Sequence, residues 1–323
     1  MPIRRRALLG ATGLIALGPR IAAAQGFPSR PVRVVVPFAA GGLTDVVARI
    51  VMEHMAATLG RPMVIENQGG AGSTIGAATV ARAAPDGHTI MVGSVGHAAM
   101  DALYPNFSFS PVRDFTPVAL LTRQPFVVAV HPGVPARDVP SFLAWLRQRG
   151  GEANFGTAGI GATSHLSAEL IRKLAGVAFT VVPYRGTPQA VSDLTAGRVD
   201  FMVDSQTLLA PLMAEGRVRG IAVTTAARSS MLPDLPTLAE AGVLGYEASA
   251  WQAVYAPAGT PPAVVRTLSD AAARAIRDPT VARRLAEAGV DTVADPSPEA
   301  AARHLEEEVR KWGELVRALG LRG

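Results

Sequence analysis

The sequence predicts an α/β protein of two lobes with a ligand cleft between them. Two observations carry that prediction. The order strand–helix–strand–helix–strand occurs twice, over residues 33–93 and again over 154–203, as a repeat of architecture and not of residues. Each copy also opens the same way, with an apolar strand running into a glycine-rich turn and then a helix. Residues 33–51 read RVVVPFAAGGLTDVVARIV and residues 154–171 read NFGTAGIGATSHLSAELI. Short connections of this kind give parallel strands covered by helices.

Taken in order, residues 33–38 are rich in β-branched side chains and suit a buried strand. Gly41 and Gly42 let the chain turn with no Cβ in the way. Thr44 is placed to cap a helix over 44–59, whose apolar face is Val46, Val47, Ile50 and Val51. A strand over 63–66, a helix over 73–83 and a strand over 89–93 complete the first half, punctuated by Gly60-Arg61-Pro62 and Pro85-Asp86-Gly87. In the second half, strands over 154–157, 180–184 and 199–203 alternate with helices over 163–175 and 188–196. Thr163 or Ser164 is the expected cap there, and Gly176 and Gly197 mark turns.

Three further apolar runs cover 118–121, 126–130 and 220–225. The last two bracket the second half and are the natural crossings between lobes. The tail after Pro257 reads as helices. Thr260 is expected to cap one with Pro261 at its first position, Gly289 to end the next, and Ser297-Pro298 to open the last. The stripe Leu305, Val309, Trp312, Val316 and Leu319 should dock that last helix on the first lobe. The expected division is a signal peptide over 1–24, a first lobe over 25–125, an inserted second lobe over 126–225, and a return to the first lobe over 226–323.

Residues 1–24 carry Arg4, Arg5 and Arg6, an apolar run over 7–17, and the small-residue site Ala22-Ala23-Ala24. This is the pattern of a secretory signal cleaved after Ala24, and the arginines admit twin-arginine export. The run is too short to span a membrane, which needs about 20 apolar residues. The expected location is the periplasm. The whole chain has 31 Lys+Arg against 26 Asp+Glu. Arg4, Arg5, Arg6 and Arg20 leave with the signal, so the mature chain carries 27 against 26 and no basic face that would hold nucleic acid. With no cysteine, disulfides, thiolate catalysis and lipidation of an N-terminal cysteine are all excluded.

Ligands of open parallel α/β sheets sit at the carboxyl ends of the strands. The candidate segments are therefore 39–45, 67–74 and 94–97 in the first lobe, and 158–165, 185–188 and 204–206 in the second. The two glycine turns expose free backbone N–H groups and the positive ends of helix dipoles, which suits an anion. The residues that would hold it are Ala40, Gly41, Gly42 and Thr44 from one turn, and Ala158, Gly159, Thr163, Ser164 and His165 from the other, with Ser94 between them. Asp45 either contacts ligand or favours the helix dipole. Asp204 follows an apolar strand, and it either caps a loop or accepts hydrogen bonds from a ligand amine or hydroxyl. Val95, Phe155 and Tyr184 are candidates to shape the pocket.

Other chemistries lack a pattern. None of the six histidines (His54, His88, His97, His131, His165, His304) pairs at helical metal spacing, so no metal is expected. The run GIGATS lacks the third glycine of a dinucleotide fingerprint, and no cofactor is called for. A hydrolase using Ser94 or Ser164 would need a base and an orienting acid. Val92 also stands where the nucleophile elbow requires glycine.

Ordered motifs along nearly the whole mature chain resemble the Bug family of extracytoplasmic solute receptors, also called the TctC family. They include RPVRVVVPFAAGGLTDVVAR (30–49), VIENQGGAGSTIGA (64–77), AAPDGHTIMVG (83–93), NFGTAGIGATSHLSAEL (154–170) and VPYRGTPQAVSDLTAGRVD (182–200). The resemblance implies a type II periplasmic-binding-protein fold, with two α/β lobes closing on a ligand. It implies that the turns over 39–44 and 158–165 hold a ligand carboxylate, and that Asp204 is a polar residue at the cleft. The ligand would be a small carboxylate (a di- or tricarboxylate, an acidic amino acid or an aromatic acid). The receptor would work as a monomer, delivering ligand to the membrane permease subunits of a tripartite tricarboxylate transporter, or signalling to a sensor kinase. Two departures stand out. The family's Asn-Arg-Pro-Gly-Ala-Gly segment is here Asn67-Gln68-Gly69-Gly70-Ala71-Gly72, and Leu43 replaces a frequent proline or serine.

Overall fold

The valine run over 32–36 forms β1 (Val32–Val36), a strand covered on both faces. Val32, Val34 and Val36 enter one apolar cluster and Val35 the other, as the two-residue period of a strand requires. Residues 26–323 are described by a computed structural model, so the expected signal over 1–24 lies outside the described residues.

After β1 come α1 (Leu43–Leu59), β2 (Met63–Asn67), a short 3₁₀ turn over Ala71–Ser73 leading into α2 (Thr74–Ala81), β3 (Thr89–Gly93), α3 (Val95–Leu103) and β4 (Phe115–Gln124). A second run contains β5 (Phe126–Val130), α4 (Val139–Arg149), β6 (Asn154–Thr157), α5 (Thr163–Ala175), β7 (Thr180–Pro183), α6 (Thr187–Thr195), β8 (Phe201–Ser205), α7 (Gln206–Ala214) and β9 (Arg219–Val223). The chain then returns through β10 (Ala250–Pro257), α8 (Pro262–Arg277), α9 (Pro279–Glu287) and α10 (Pro298–Leu319).

Two five-stranded sheets result, ordered β2-β1-β3-β10-β4 and β7-β6-β8-β5-β9. The three strands of each repeat are parallel, with Val34 level with both Ile65 and Ile90, and Phe155 level with both Val181 and Phe201. The sheets are mixed and not wholly parallel, because β10 runs antiparallel between β3 and β4, and β5 antiparallel between β8 and β9. The strand added to each repeat arrives from a distant part of the chain, which removes the need for a right-handed helical crossover.

Only Pro125 separates β4 in one sheet from β5 in the other. The return path leaves β9 beside it. The Phe126 N–H donates to Thr224 Oγ1 at 2.8 Å and the Thr224 N–H donates to the Phe126 carbonyl at 3.0 Å, so the two crossings are tied side by side.

Three expected caps are placed differently. Gly42 is the N-cap of α1, and Thr44 lies inside its first turn with no capping bond. Ala162 is the N-cap of α5, while the Ser164 hydroxyl turns back to Thr157 Oγ1 at 2.7 Å and to the Ala158 N–H at 3.2 Å. Pro261 precedes α8, and the Thr260 hydroxyl donates to the Pro257 carbonyl at 2.7 Å. In each case the residue immediately before the helix takes the cap position, and the Ser164 and Thr260 hydroxyls serve the turn. At the end of α9 the C-cap is Ala288, with Gly289 one residue beyond it at φ +67°.

The last helix packs on α3 and β4 of the first sheet and reaches α5 of the second. Leu305, Trp312 and Val316 are buried, whereas Val309 and Leu319 are half-buried. One carboxylate fastens it. Glu308, 4% exposed, accepts from the indole N–H of Trp251 on β10 at 2.7 Å and from that of Trp312 at 2.6 Å. Glu308→Ala strands two buried donors. It should cost about 2–5 kcal/mol in denaturant unfolding, whereas an exposed change such as Glu314→Ala should be near neutral.

Candidate functional site

The turn after β1 and the turn after β6 are built to one plan, although their residues differ. In the first, Gly41 at φ +78° donates its N–H to Asp45 Oδ2 at 2.9 Å, Gly42 N–H reaches the Ala39 carbonyl at 3.4 Å, and Val46 N–H reaches Gly42 at 3.0 Å. In the second, Gly161 at φ +81° donates to His165 Nδ1 at 3.3 Å, Ala162 N–H reaches Gly159 at 3.1 Å, and Leu166 N–H reaches Ala162 at 3.1 Å. Every bond has its counterpart 120 residues on. In both turns a side chain four residues ahead takes the outer glycine amide. The first N–H groups of α1 and α5 lack an intrahelical acceptor.

Both turns face one cavity of about 680 Å³ between the lobes. The N-cap residues of α1, α2, α3, α5 and α6 (Gly42, Ser73, Ser94, Ala162 and Gly186) all line it. Five helices thus aim their positive ends at one volume. The hydroxyl of Ser73, a residue 2% exposed, has no hydrogen-bond partner among the described residues.

Eight of the expected residues line the cavity: Gly42, Thr44, Ser94, Ala158, Gly159, Thr163, Ser164 and Asp204. Ala40, Gly41, Asp45 and His165 lie outside the lining. Ala40 is exposed. Asp45 is buried behind the turn, where it accepts from the Gly41 N–H, from Asn67 Nδ2 at 2.9 Å and from Arg49 Nε at 3.0 Å. Burial opposes its ionisation, but these bonds outweigh burial and hold its carboxyl below the ordinary range. Asn67, from the departed Asn67–Gly72 segment, thereby braces the first turn. Burial, reinforced by the Arg172 charge, pushes His165 down to about 4, which leaves a neutral imidazole to accept from Gly161. Asp45 and His165 are turn-builders. Val95 and Phe155 are core residues, whereas Tyr184 lines the cavity.

Sequence reading reached segments 67–74 and 185–188 without resolving which side chains matter. Among the described residues Arg185, exposed at the cavity edge, is the one cationic side chain in the lining, and it enters no ion pair. Tyr104, at the far end of α3, also lines the site and carried no signal.

The lobes meet at the mouth. A Cβ built on Gly161 would sit 2.8 Å from Leu103 Cδ1 and 3.5 Å from the Gly72 Cα, so two glycines let the loops after β2 and β6 touch. Asp204, at the end of β8, is 3% exposed. It accepts from the Ser205 N–H at 2.7 Å and from the Thr187 hydroxyl at 3.2 Å. Burial pushes its carboxyl up to about 6, only partly offset by those two donors.

A profile described as "Tripartite tricarboxylate transporter family receptor" matches residues 47–321. The chain belongs to this family. MatC from Rhodopseudomonas palustris, solved with bound malate, is 40% identical, with a TM-score of 0.85 over 90% of this chain and 100% of its own. A second R. palustris protein, solved with adipate, is 36% identical, with a TM-score of 0.85 over 92% and 99%. The periplasmic binding protein BugD is 37% identical, with a TM-score of 0.86 over 92% and 99%. The family resemblance and the two-lobed α/β class read from the sequence both stand. Tripartite tricarboxylate transporter receptors are a binding-protein family, and among the described residues no helix is long and apolar enough to cross a membrane.

The raised pKa of Asp204 makes a stability prediction. A carboxyl whose folded pKa lies above its unfolded value costs stability once ionised. The cost is absent below about pH 4 and grows as pH rises through about 6. Asp204→Asn should therefore melt several degrees above the parent at pH 8, by about 2–3 kcal/mol, with the difference closing by pH 4. Equal melting at both pH values would contradict this.

Proposed function

We propose that this receptor captures a small carboxylate in the periplasm and delivers it to the permease subunits of a tripartite tricarboxylate transporter. The observation that carries the reading is the convergence of five helix N-caps, two of them in duplicate turns, on one cavity between lobes. Ligands solved in two relatives, malate and adipate, are both carboxylates. Hydrogen bonds to a charged acceptor contribute roughly 1.5–3 kcal/mol each. Three or four, drawn from both lobes, support micromolar binding at about −8 kcal/mol after the cost of ordering.

In this reading the inner amides of α1 and α5 clamp one carboxylate, with Thr44, Thr163 and Ser164 beside it. Each lobe supplies half of the cradle, so binding favours the closed form, and opening is a rotation about the paired crossings at Phe126 and Thr224. Arg185, free of an internal partner, suits a second carboxylate at the cavity edge. Lobe boundaries near Pro125 and Thr224, and a signal peptide over 1–24, complete the proposal.

Two measurements check it. A thermal-shift screen of the mature protein, refolded to strip bound ligand, should give hits among small carboxylates. A hit present at a hundredfold excess over its Kd adds about 2.7 kcal/mol. Silence across mono-, di- and tricarboxylates would remove the reading. Arg185→Ala should weaken dicarboxylates by about tenfold and monocarboxylates by much less, as read by calorimetry. An equal loss for both classes would exclude Arg185 as a second anchor.

A further inference from the structure

An anion site that contains a buried carboxylate poses a chemical question. Among the described residues Asp204 is the one acidic side chain in the cavity lining, and no lysine, arginine or histidine lies within ion-pair distance of it. It is held in place on both sides. The Ser205 N–H fixes Oδ1 and the Thr187 hydroxyl, at the first turn of α6, fixes Oδ2. A carboxylate offers about four acceptor positions, so two donors leave roughly half of them unmet. Opposite a ligand carboxylate, an ionised Asp204 is repelled and under-bonded, and both effects weaken binding of a plain acid. A ligand that brings its own donor removes both penalties.

We propose that Asp204 is a specificity-determining residue, which accepts a hydrogen bond from a hydroxyl or ammonium group carried near the bound carboxylate, so that the receptor takes hydroxy or amino acids and turns plain acids away. The proposal rests on the carboxylate reading above and narrows its ligand class. Discrimination of this kind is strong because a buried acceptor built for a donor is left unpaired by an analogue that lacks it. A methylene more or less in an apolar wall achieves far less. The rim position of Arg185 is complementary: it serves charge that projects outward, whereas Asp204 is enclosed.

The test uses trios of acids that differ by one group: succinate, malate and aspartate; propionate, lactate and alanine; phenylacetate, mandelate and phenylglycine. Calorimetric Kd values are taken at pH 8 on the refolded mature protein, on Asp204→Asn and on Asp204→Ser, with folding of each variant verified by its melting curve. The expected result is that, in any trio that binds, a donor-bearing member binds the parent at least tenfold more tightly than the plain acid. Both variants should shrink that ratio at least fivefold, losing affinity for the donor-bearing acid and gaining it for the plain one. A plain acid that binds the parent as tightly as its hydroxy and amino counterparts would overturn the role of Asp204 while leaving the carboxylate receptor intact. An unchanged ratio in both variants would do the same. Absence of binding across all nine acids would overturn the role and the receptor reading together.

Discussion

The backbone N–H groups at the start of a helix have no acceptor within that helix, and this constraint organises the cleft. Five helices begin at the wall of one cavity, and each brings such groups with it. The fold disposes of the outer ones internally. Asp45 takes the Gly41 amide and neutral His165 takes the Gly161 amide, at the same place in two unrelated stretches of sequence. In the proposed reading the inner groups are left for a ligand. A charged acceptor from outside the chain satisfies them better than water can in an enclosed space, which is why an anion site needs no cationic side chain at its centre.

The rest of the structure keeps those groups in position. The first repeat sits in one sheet and the second in the other; Pro125 alone links β4 to β5, and the chain returns from β9 through residues 224–249, which pair with β9 before β10 begins. One apolar cluster nevertheless runs from Val35 in the first sheet and Trp312 on α10 to Phe155 and Phe201 in the second sheet. Glu308 fixes the C-terminal helix that forms part of this shared core. The loops after β2 and β6 meet at Gly72 and Gly161, where a Cβ on Gly72 would crowd the Ile160 carbonyl at 3.0 Å.

Much of this was legible. Strands over 89–93, 126–130 and 154–157 and the helix over 163–175 have the bounds that the sequence pattern implies, because β-branched runs and glycine stops mark them locally. β10 was not placed, since its neighbours β3 and β4 lie over 120 residues away and no local pattern announces such pairing. The helix over Val139–Arg149 did carry a signal, Asp138 and Ser141 forming a capping box, but it lies outside both repeats. Helix α3 starts Val95-Gly96-His97, too poor in helix formers to be read. In the site, residue types located the turns, but only geometry separates Thr44 and Ser164, which line the cavity, from Asp45 and His165, which build its walls from behind. Arg185 was hidden for a related reason: a single arginine after a strand has many ordinary uses, and its freedom from partners is a property of the folded chain.

The central claim is that backbone amides from both lobes grip the ligand anion. The direct measurement is a two-dimensional ¹⁵N NMR titration of the assigned, deuterated protein with the tightest-binding acid of the screen. The account predicts large shifts for the amides of Leu43, Thr44, Thr163 and Ser164 together, with those of Gly41 and Gly161, already bonded within the protein, moving least in the two turns. An acid that binds while the Leu43, Thr44, Thr163 and Ser164 amides keep their free positions would contradict it.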